Sequence, residues 1–299
     1  MAEAKVGIIG GSGFYRMDGL TNAEELRLET PLGEPSGPIV VGTLEGERVA
    51  FLPRHGPGHR ILPQELPTRA NVYALKSLGV ETIVGVSAVG SLREEIEPLH
   101  LVVPDQIIDR TRGRPSTFFG EGFVAHIGFA DPFCPDTRSA LVASAREAGA
   151  TIHDGGTYVV VEGPAFSTRA ESNLYRSWGA DVIGMTALPE AKLAREAETC
   201  YAILACATDY DCWHDEEADV TAEMIVANLQ KNVAVSQKAV RLFLRRLPRE
   251  RRCGCREALA NALVTPLELV PPATLAKLEP LIRKYLPAGR HGASAGKAS

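Results

Sequence analysis

Short apolar runs alternate along the chain with stretches of helical spacing. Val6–Ile9 is apolar and leads into Gly-Gly-Ser-Gly, a strand followed by a tight loop. Ile39–Thr43 and Arg48–Leu52 flank Leu-Glu-Gly-Glu and predict a β-hairpin. Thr68–Leu78 has helical spacing, and Gly79 stands where a left-handed residue closes a helix. Thr82–Val89 is a second buried strand, ending at Gly90. Leu99–Val103 and Gln106–Asp109 add strand, Asp136–Ala148 a helix closed by Gly149, and Thr157–Glu162 a strand broken at Gly163-Pro164. Ser167–Trp178 predicts a helix before Gly179, Asp181–Met185 a strand, and Leu188–Ala197 a helix with Pro189 in its first turn. The strand Cys200–Ala207 precedes a long amphipathic helix, Thr221–Arg246, and two further helices, Arg256–Val264 and Pro272–Tyr285. Strands and helices alternate with no compositional break, which predicts an α/β fold in one domain over residues 1–290. Residues 291–299 have almost nothing to bury and are expected to form a disordered tail.

Among 299 residues, 45% hydrophobic and 23% charged content is that of a soluble globular protein. A net charge of −5 argues against a nucleic-acid partner, although a local nest can still hold a small anion. No apolar stretch approaches the ~20 residues of a membrane span, so no membrane partner is expected. The opening MAEAKVGIIGG does not read as a signal peptide, and a cytoplasmic protein is expected. None of the six cysteines is in C-x-x-C spacing, so no structural zinc site is expected. Cys253-Gly254-Cys255 is open to two readings, a strained disulfide or two reduced cysteines in an Arg-rich turn.

Candidate chemistry gathers where strands end, as clefts of α/β proteins do. The Gly10–Gly13 loop with Ser12 could cradle an anion or simply turn the chain; Arg16 breaks the dinucleotide fingerprint and no Walker lysine follows. His55 and His59 have the spacing of a helical metal pair, but Gly56, Pro57 and Gly58 between them exclude the helix. Arg54 with His55 suits a phosphate clamp, against an exposed basic turn. Gly85-Val-Ser87-Ala-Val-Gly90 has one residue too many for a nucleophile elbow, leaving Ser87 as a hydrogen-bonding group. Phe166 could stack on a flat ligand or fill the core. The strand at Cys200 ends in Thr208-Asp209-Tyr210-Asp211, where extended backbone would turn both carboxylates to one side. That pair reads either as a solvated acidic loop continuing to Asp215–Glu217 or as a ligand-binding duo in which one carboxyl keeps its proton.

Taken in order, GIIGGSGFY, RHG, TIVGVSAVGSLREEI, QIIDRT, DPFCP, EGPAFSTRAES, DVIGMT and TDYDCW resemble the trimeric purine nucleoside phosphorylase family, in its methylthioadenosine-cleaving branch. The likeness spans about residues 5 to 250. It implies the nucleoside phosphorylase fold, a mixed central β-sheet flanked by helices. It also implies phosphorolysis of S-methyl-5'-thioadenosine to adenine and 5-methylthioribose 1-phosphate. The alternative is a broader phosphorylase that also accepts adenosine, 5'-deoxyadenosine or inosine. Phosphate is then a co-substrate, with neither metal nor organic cofactor.

The resemblance places phosphate on Ser12, Arg54, His55, Ser87, Ala88 and Thr186. It stacks Phe166 on the purine and sets Met185 against the ribose. Asp209 becomes the acid at N7, supported by Asp211, and Ser167 donates to N1 of adenine. Ala222 and Ile225 line an apolar 5' pocket. His126 matches a position reaching into a neighbouring subunit, so a homotrimer, or a hexamer built as a dimer of trimers, is implied.

Overall fold

The computed structural model describes residues 3–11, 14, 17–214, 221–248 and 250–287. Ser12, the acidic stretch 215–217 and the tail from 291 lie outside the described residues. At the centre stands β5 (Thr82–Ser91), buried along nearly its whole length. Its β-branched residues suit a strand covered on both faces. One edge of it runs parallel to β11 (Cys200–Asp209), in register from Thr82↔Cys200 to Val89↔Ala207, with a bulge at Thr208 before Gly90↔Asp209. The other edge is divided between two strands. β1 (Val6–Gly10) pairs in parallel with Thr82 to Gly85, and β10 (Val182–Gly184) pairs antiparallel with Gly90 and Ser91. Between them, Val86 to Val89 have no strand partner on that edge. Buried main-chain groups need hydrogen bonds, so other chemistry must complete this flank.

Outward from β1 the sheet adds the antiparallel hairpin β3 (Ile39–Leu44) and β4 (Glu47–Pro53), then the exposed edge strand β2 (Thr21–Leu26). Outward from β10 come β9 (Thr157–Val161) and β7 (Gln106–Arg110). β6 (Leu101–Val103) lies antiparallel to β11 and carries β8 (Ile152–Asp154). The sheet is therefore mixed, as expected, and helices cover both faces. On one face Val72 and Leu75 of α1 (Thr68–Ser77), Leu193 of α4 (Ala187–Glu196) and Leu278 of α6 (Pro272–Ile282) share a core. On the other, Leu141 of α2 (Pro135–Ala148) meets Val240 and Phe243 of α5 (Ala222–Arg246). The short α3 (Arg169–Ser177) starts at the Thr168 cap, whose hydroxyl accepts from the Glu171 N–H.

One expected helix is absent. Arg256–Val264 does not form a helix: a 3-10 turn, Gly254–Glu257, gives way to turns and a bridge between Leu263 and Ala125. Helical spacing of apolar residues is present, but the Leu259 N–H donates to Glu198 Oε1 at 3.0 Å rather than along a helix. No helix among the described residues is long and apolar enough to cross a membrane.

Candidate active site

A cavity of about 610 Å³ opens against the bare flank of β5. Ser87, Ala88, Val89 and Gly90 line it from that strand, Asp209 from the end of β11, and Met185 and Thr186 from just beyond β10. Phe166 and Ser167 come from the loop after β9, and the N-terminal half of α5 closes the side.

At one end the residues suit an anion. The hydroxyls of Ser87 and Thr186 are buried without hydrogen-bond partners, as is that of Tyr158, which adjoins both. Burial pushes the Tyr158 phenol up to about 12, so it stays a neutral hydroxyl. Thr186 caps α4 by position yet makes no side-chain cap bond, leaving its hydroxyl for the cavity. Gly184 is required beside it, because a Cβ there would collide with Tyr158 Oη.

Arg54 differs from the open clamp its sequence context suggests. It is only 2% exposed, and Glu190 Oε1 accepts from its Nε at 2.5 Å. Its Nη2 donates to Glu190 Oε2 at 3.1 Å and to Ile9 O at 3.1 Å, and its Nη1 to Val86 O at 2.7 Å. Four of the five guanidinium N–H groups are thus engaged. Burial works against the Arg54 charge, but Glu190 outweighs it and holds the pKa above its ordinary value. The pair is electrically neutral, so hydroxyls and one remaining N–H face an anion rather than a free cation. Glu190 also accepts from Tyr201 Oη at 2.9 Å. His55 is likewise not a plain donor. Burial lowers it to about 4, and its Nδ1 lies 2.9 Å from the Ile61 carbonyl. A carbonyl only accepts, so Nδ1 carries the hydrogen and the neutral ring offers an acceptor at Nε2.

The opposite end is acidic and dry. Asp209 is 5% exposed, and burial, ahead of the nearby Asp211 charge, pushes its carboxyl up to about 6. Its Oδ2 accepts from the Thr208 hydroxyl at 2.7 Å and its Oδ1 from the Asp211 N–H at 2.9 Å. Asp211 does not extend the strand: its φ of 52° turns the chain, and its carboxylate reaches the cavity from a turn. Burial raises its pKa too, and its Oδ2 has no hydrogen-bond partner. Desolvation more than mutual repulsion therefore holds protons at this end. The Thr208 hydroxyl, within reach of both Asp209 Oδ2 and Val89 O, can turn to Val89 when Asp209 is protonated.

Between these ends, Ala222, Ile225, Val226, Leu229 and Val233 of α5 form a helical stripe along the cavity. Ala222 and Ile225 were expected there; the others extend the same face. Phe166 is 43% exposed at the rim. His126 is exposed and does not line the cavity of its own chain, its N–H donating to Ala262 O. Glu190 and Tyr158, which set the electrostatics, went unrecognised in the sequence because neither belongs to a local motif.

The cavity joins unpartnered buried hydroxyls at one end to buried carboxyls at the other, an arrangement that suits a phosphorylase. The family model described as Phosphorylase superfamily matches residues 5–245, and the chain belongs to that family. Within the family it groups with the S-methyl-5'-thioadenosine phosphorylases. The relative of that name from Geobacter sulfurreducens is 56% identical over 95% of this chain and all of its own length, 100%. A crystal structure of methylthioadenosine phosphorylase from an antarctic soil metagenomic library is 50% identical, with TM-score 0.90, covering 94% of this chain and 99% of that one. A variant adenosine/methylthioadenosine phosphorylase of Schistosoma mansoni, in complex with methylthioadenosine, is 36% identical with TM-score 0.78, covering 86% of this chain and 96% of that one.

Proposed function

We propose that the chain catalyses phosphorolysis of S-methyl-5'-thioadenosine, with phosphate as co-substrate and no cofactor in the reaction. One observation carries the reading: a single cavity joins a dry carboxyl held up to about 6 to unpartnered hydroxyls, across an apolar wall. Adenine fits the acidic end. Its N6 amino group donates, and its N7 must gain a proton as the base leaves, so Asp209 and Asp211 supply acceptors and an acid. A 6-oxopurine would set O6 against a carboxylate. Ser167 is assigned as the donor to N1, and Phe166 as the ring against the purine face. Met185 lies against the ribose, and the α5 stripe takes the methylthio group.

The glycosidic bond breaks with both electrons going to the base nitrogen, leaving an oxocarbenium-like sugar. Asp209 passes its proton to N7 and offsets that charge. Phosphate held by Ser87, the Ala88 N–H, Thr186 and the last N–H of Arg54, with His55 Nε2 accepting from its P–OH and Ser12 assigned as a further donor, attacks the anomeric carbon from the other face. The neutral Arg54–Glu190 pair supports this arrangement, because it positions the anion without trapping it. We also assign a homotrimer, with His126 of each subunit reaching into its neighbour's site, as its exposure away from its own cavity permits, and a cytoplasmic setting.

The test is adenine release measured with and without phosphate, on methylthioadenosine, 5'-deoxyadenosine, adenosine and inosine. Release should require phosphate, favour the 5'-apolar nucleosides and spare inosine. Asp209→Asn should lose about 10²-fold or more in kcat. Full activity of that variant, or release in the absence of phosphate, would overturn the assignment.

A further inference from the structure

At the opposite end of β11 from the carboxyls, four cysteines converge from three distant parts of the chain. Cys134 precedes α2, Cys200 begins β11, and Cys253 and Cys255 flank the first residue of the 3-10 turn. All four are free thiols, and their sulfurs all lie within 4.8 Å of one another, Cys200 and Cys253 at 3.3 Å. Cys134, Cys200 and Cys255 are buried and Cys253 is half-buried. We propose that Cys134, Cys200, Cys253 and Cys255 bind one zinc ion as a structural tetrathiolate site.

The geometry fits that ion. A tetrahedron with metal–sulfur bonds of about 2.3 Å has sulfur–sulfur edges of about 3.8 Å, within the range the cluster spans. Four thiolates with no open position mark a structural centre, not a catalytic one. The surroundings favour thiolates. Cys134 is the N-cap of α2, where the helix end favours negative charge. Arg251 lines a small cavity of about 70 Å³ with Cys200 and Cys253, and so places a cation beside a site whose net charge would be negative. The same cavity gives the ion a path in.

The frame is already rigid. The Cys134 N–H donates to Tyr201 O at 2.8 Å and the Cys200 N–H to Glu81 O at 3.0 Å, pinning two ligands to adjacent elements. Binding would release the thiol protons to solvent and fasten the irregular C-terminal segment to the base of the sheet. Spacing along the chain hides all this, since only Cys253 and Cys255 are neighbours in sequence.

The test uses the full chain purified without added chelator. Metal analysis should find one zinc per chain. A mercurial should release it, and reloading with cobalt(II) should produce the intense visible bands and sulfur-to-cobalt charge transfer of a tetrahedral thiolate complex. Cys253→Ser should cut the zinc content severalfold, whereas Cys212→Ser, outside the cluster, should leave it unchanged. Protein that folds with a negligible fraction of an equivalent of zinc, binds no cobalt in this form and shows unreactive thiols with the intact mass of disulfides would overturn the proposal. So would iron in place of zinc. The cobalt spectrum of the parent protein decides the matter even if Cys253→Ser fails to fold.

Discussion

Replacing Glu190 by Gln tests whether the anion site rests on a buried, cancelled charge. Arg54 and Glu190 are each 2% exposed, so the substitution strands a guanidinium away from water. Removing one partner of a buried pair costs about 3–5 kcal/mol. Geometry places this case in the upper part of that range. The Glu190 carboxylate accepts from Arg54 Nε, Arg54 Nη2 and Tyr201 Oη. Glutamine has a single acceptor oxygen, and whichever way its amide turns, its NH₂ meets a donor. A loss of about 4 kcal/mol is roughly a thousandfold in the folding equilibrium, at 1.4 kcal/mol per factor of ten. Urea unfolding at fixed protein concentration reads it. Phosphate binding should move the other way, with a lower KM, because the Arg54 charge is no longer neutralised. The double variant Arg54→Met with Glu190→Met should recover much of the stability while losing phosphate affinity, since a missing pair strands no charge. A single variant within about 1 kcal/mol of the parent, the scale of an exposed pair, would refute the reasoning.

Other outcomes follow from the same geometry. The Thr208 hydroxyl, 2.7 Å from Asp209 Oδ2, holds that carboxyl down against burial. Thr208→Val should raise it, moving the alkaline limb of kcat/KM for methylthioadenosine up by about one pH unit; an unmoved or lowered limb contradicts the acid role of Asp209. Ile225→Ser should reduce kcat/KM for methylthioadenosine about tenfold and that for adenosine less. Equal losses on both nucleosides would remove the α5 stripe from the 5' pocket. Gly184→Ala should cost about 1–3 kcal/mol by overpacking against Tyr158, and Tyr158→Phe should return part of it in thermal denaturation.

Sequence patterning resolves the buried parts of the fold best. The strands Thr82–Val89 and Cys200–Ala207 are continuous apolar runs, and the structure extends each by a few residues without moving it. Gly149 adopts the left-handed conformation that ends α2, φ 91°. Edges were harder. Thr21–Leu26 is an exposed strand with no apolar alternation, and it is held mainly by backbone pairing to β3. The segment after Cys255 carries apolar residues at helical spacing, but distant partners, Glu198 and Ala125, claim its main chain. The same division applies to the cavity. Arg54, Thr186 and Asp209 announce themselves by standing at or just past strand ends, and Ser87 by the glycine-flanked run Gly85–Gly90 inside β5. Glu190 and Tyr158 do not, because their roles exist only once α4 and β9 are brought against β4 and β5. The four thiols are the extreme case.

The gap at Val86–Val89 exists because the pairing of β1 with β5 ends at Gly85 and that of β10 begins at Gly90. No side chain makes it, so no single replacement in the lining can fill it with strand. Only sliding β10 past β5 could, and a one-residue slip would turn its core face outward. The oxyanion seat is thus a property of how the strands are spaced, while the choice of heterocycle is written in a few interchangeable groups at the far end. Redesign of the preferred base can proceed there without rebuilding the half that delivers the nucleophile.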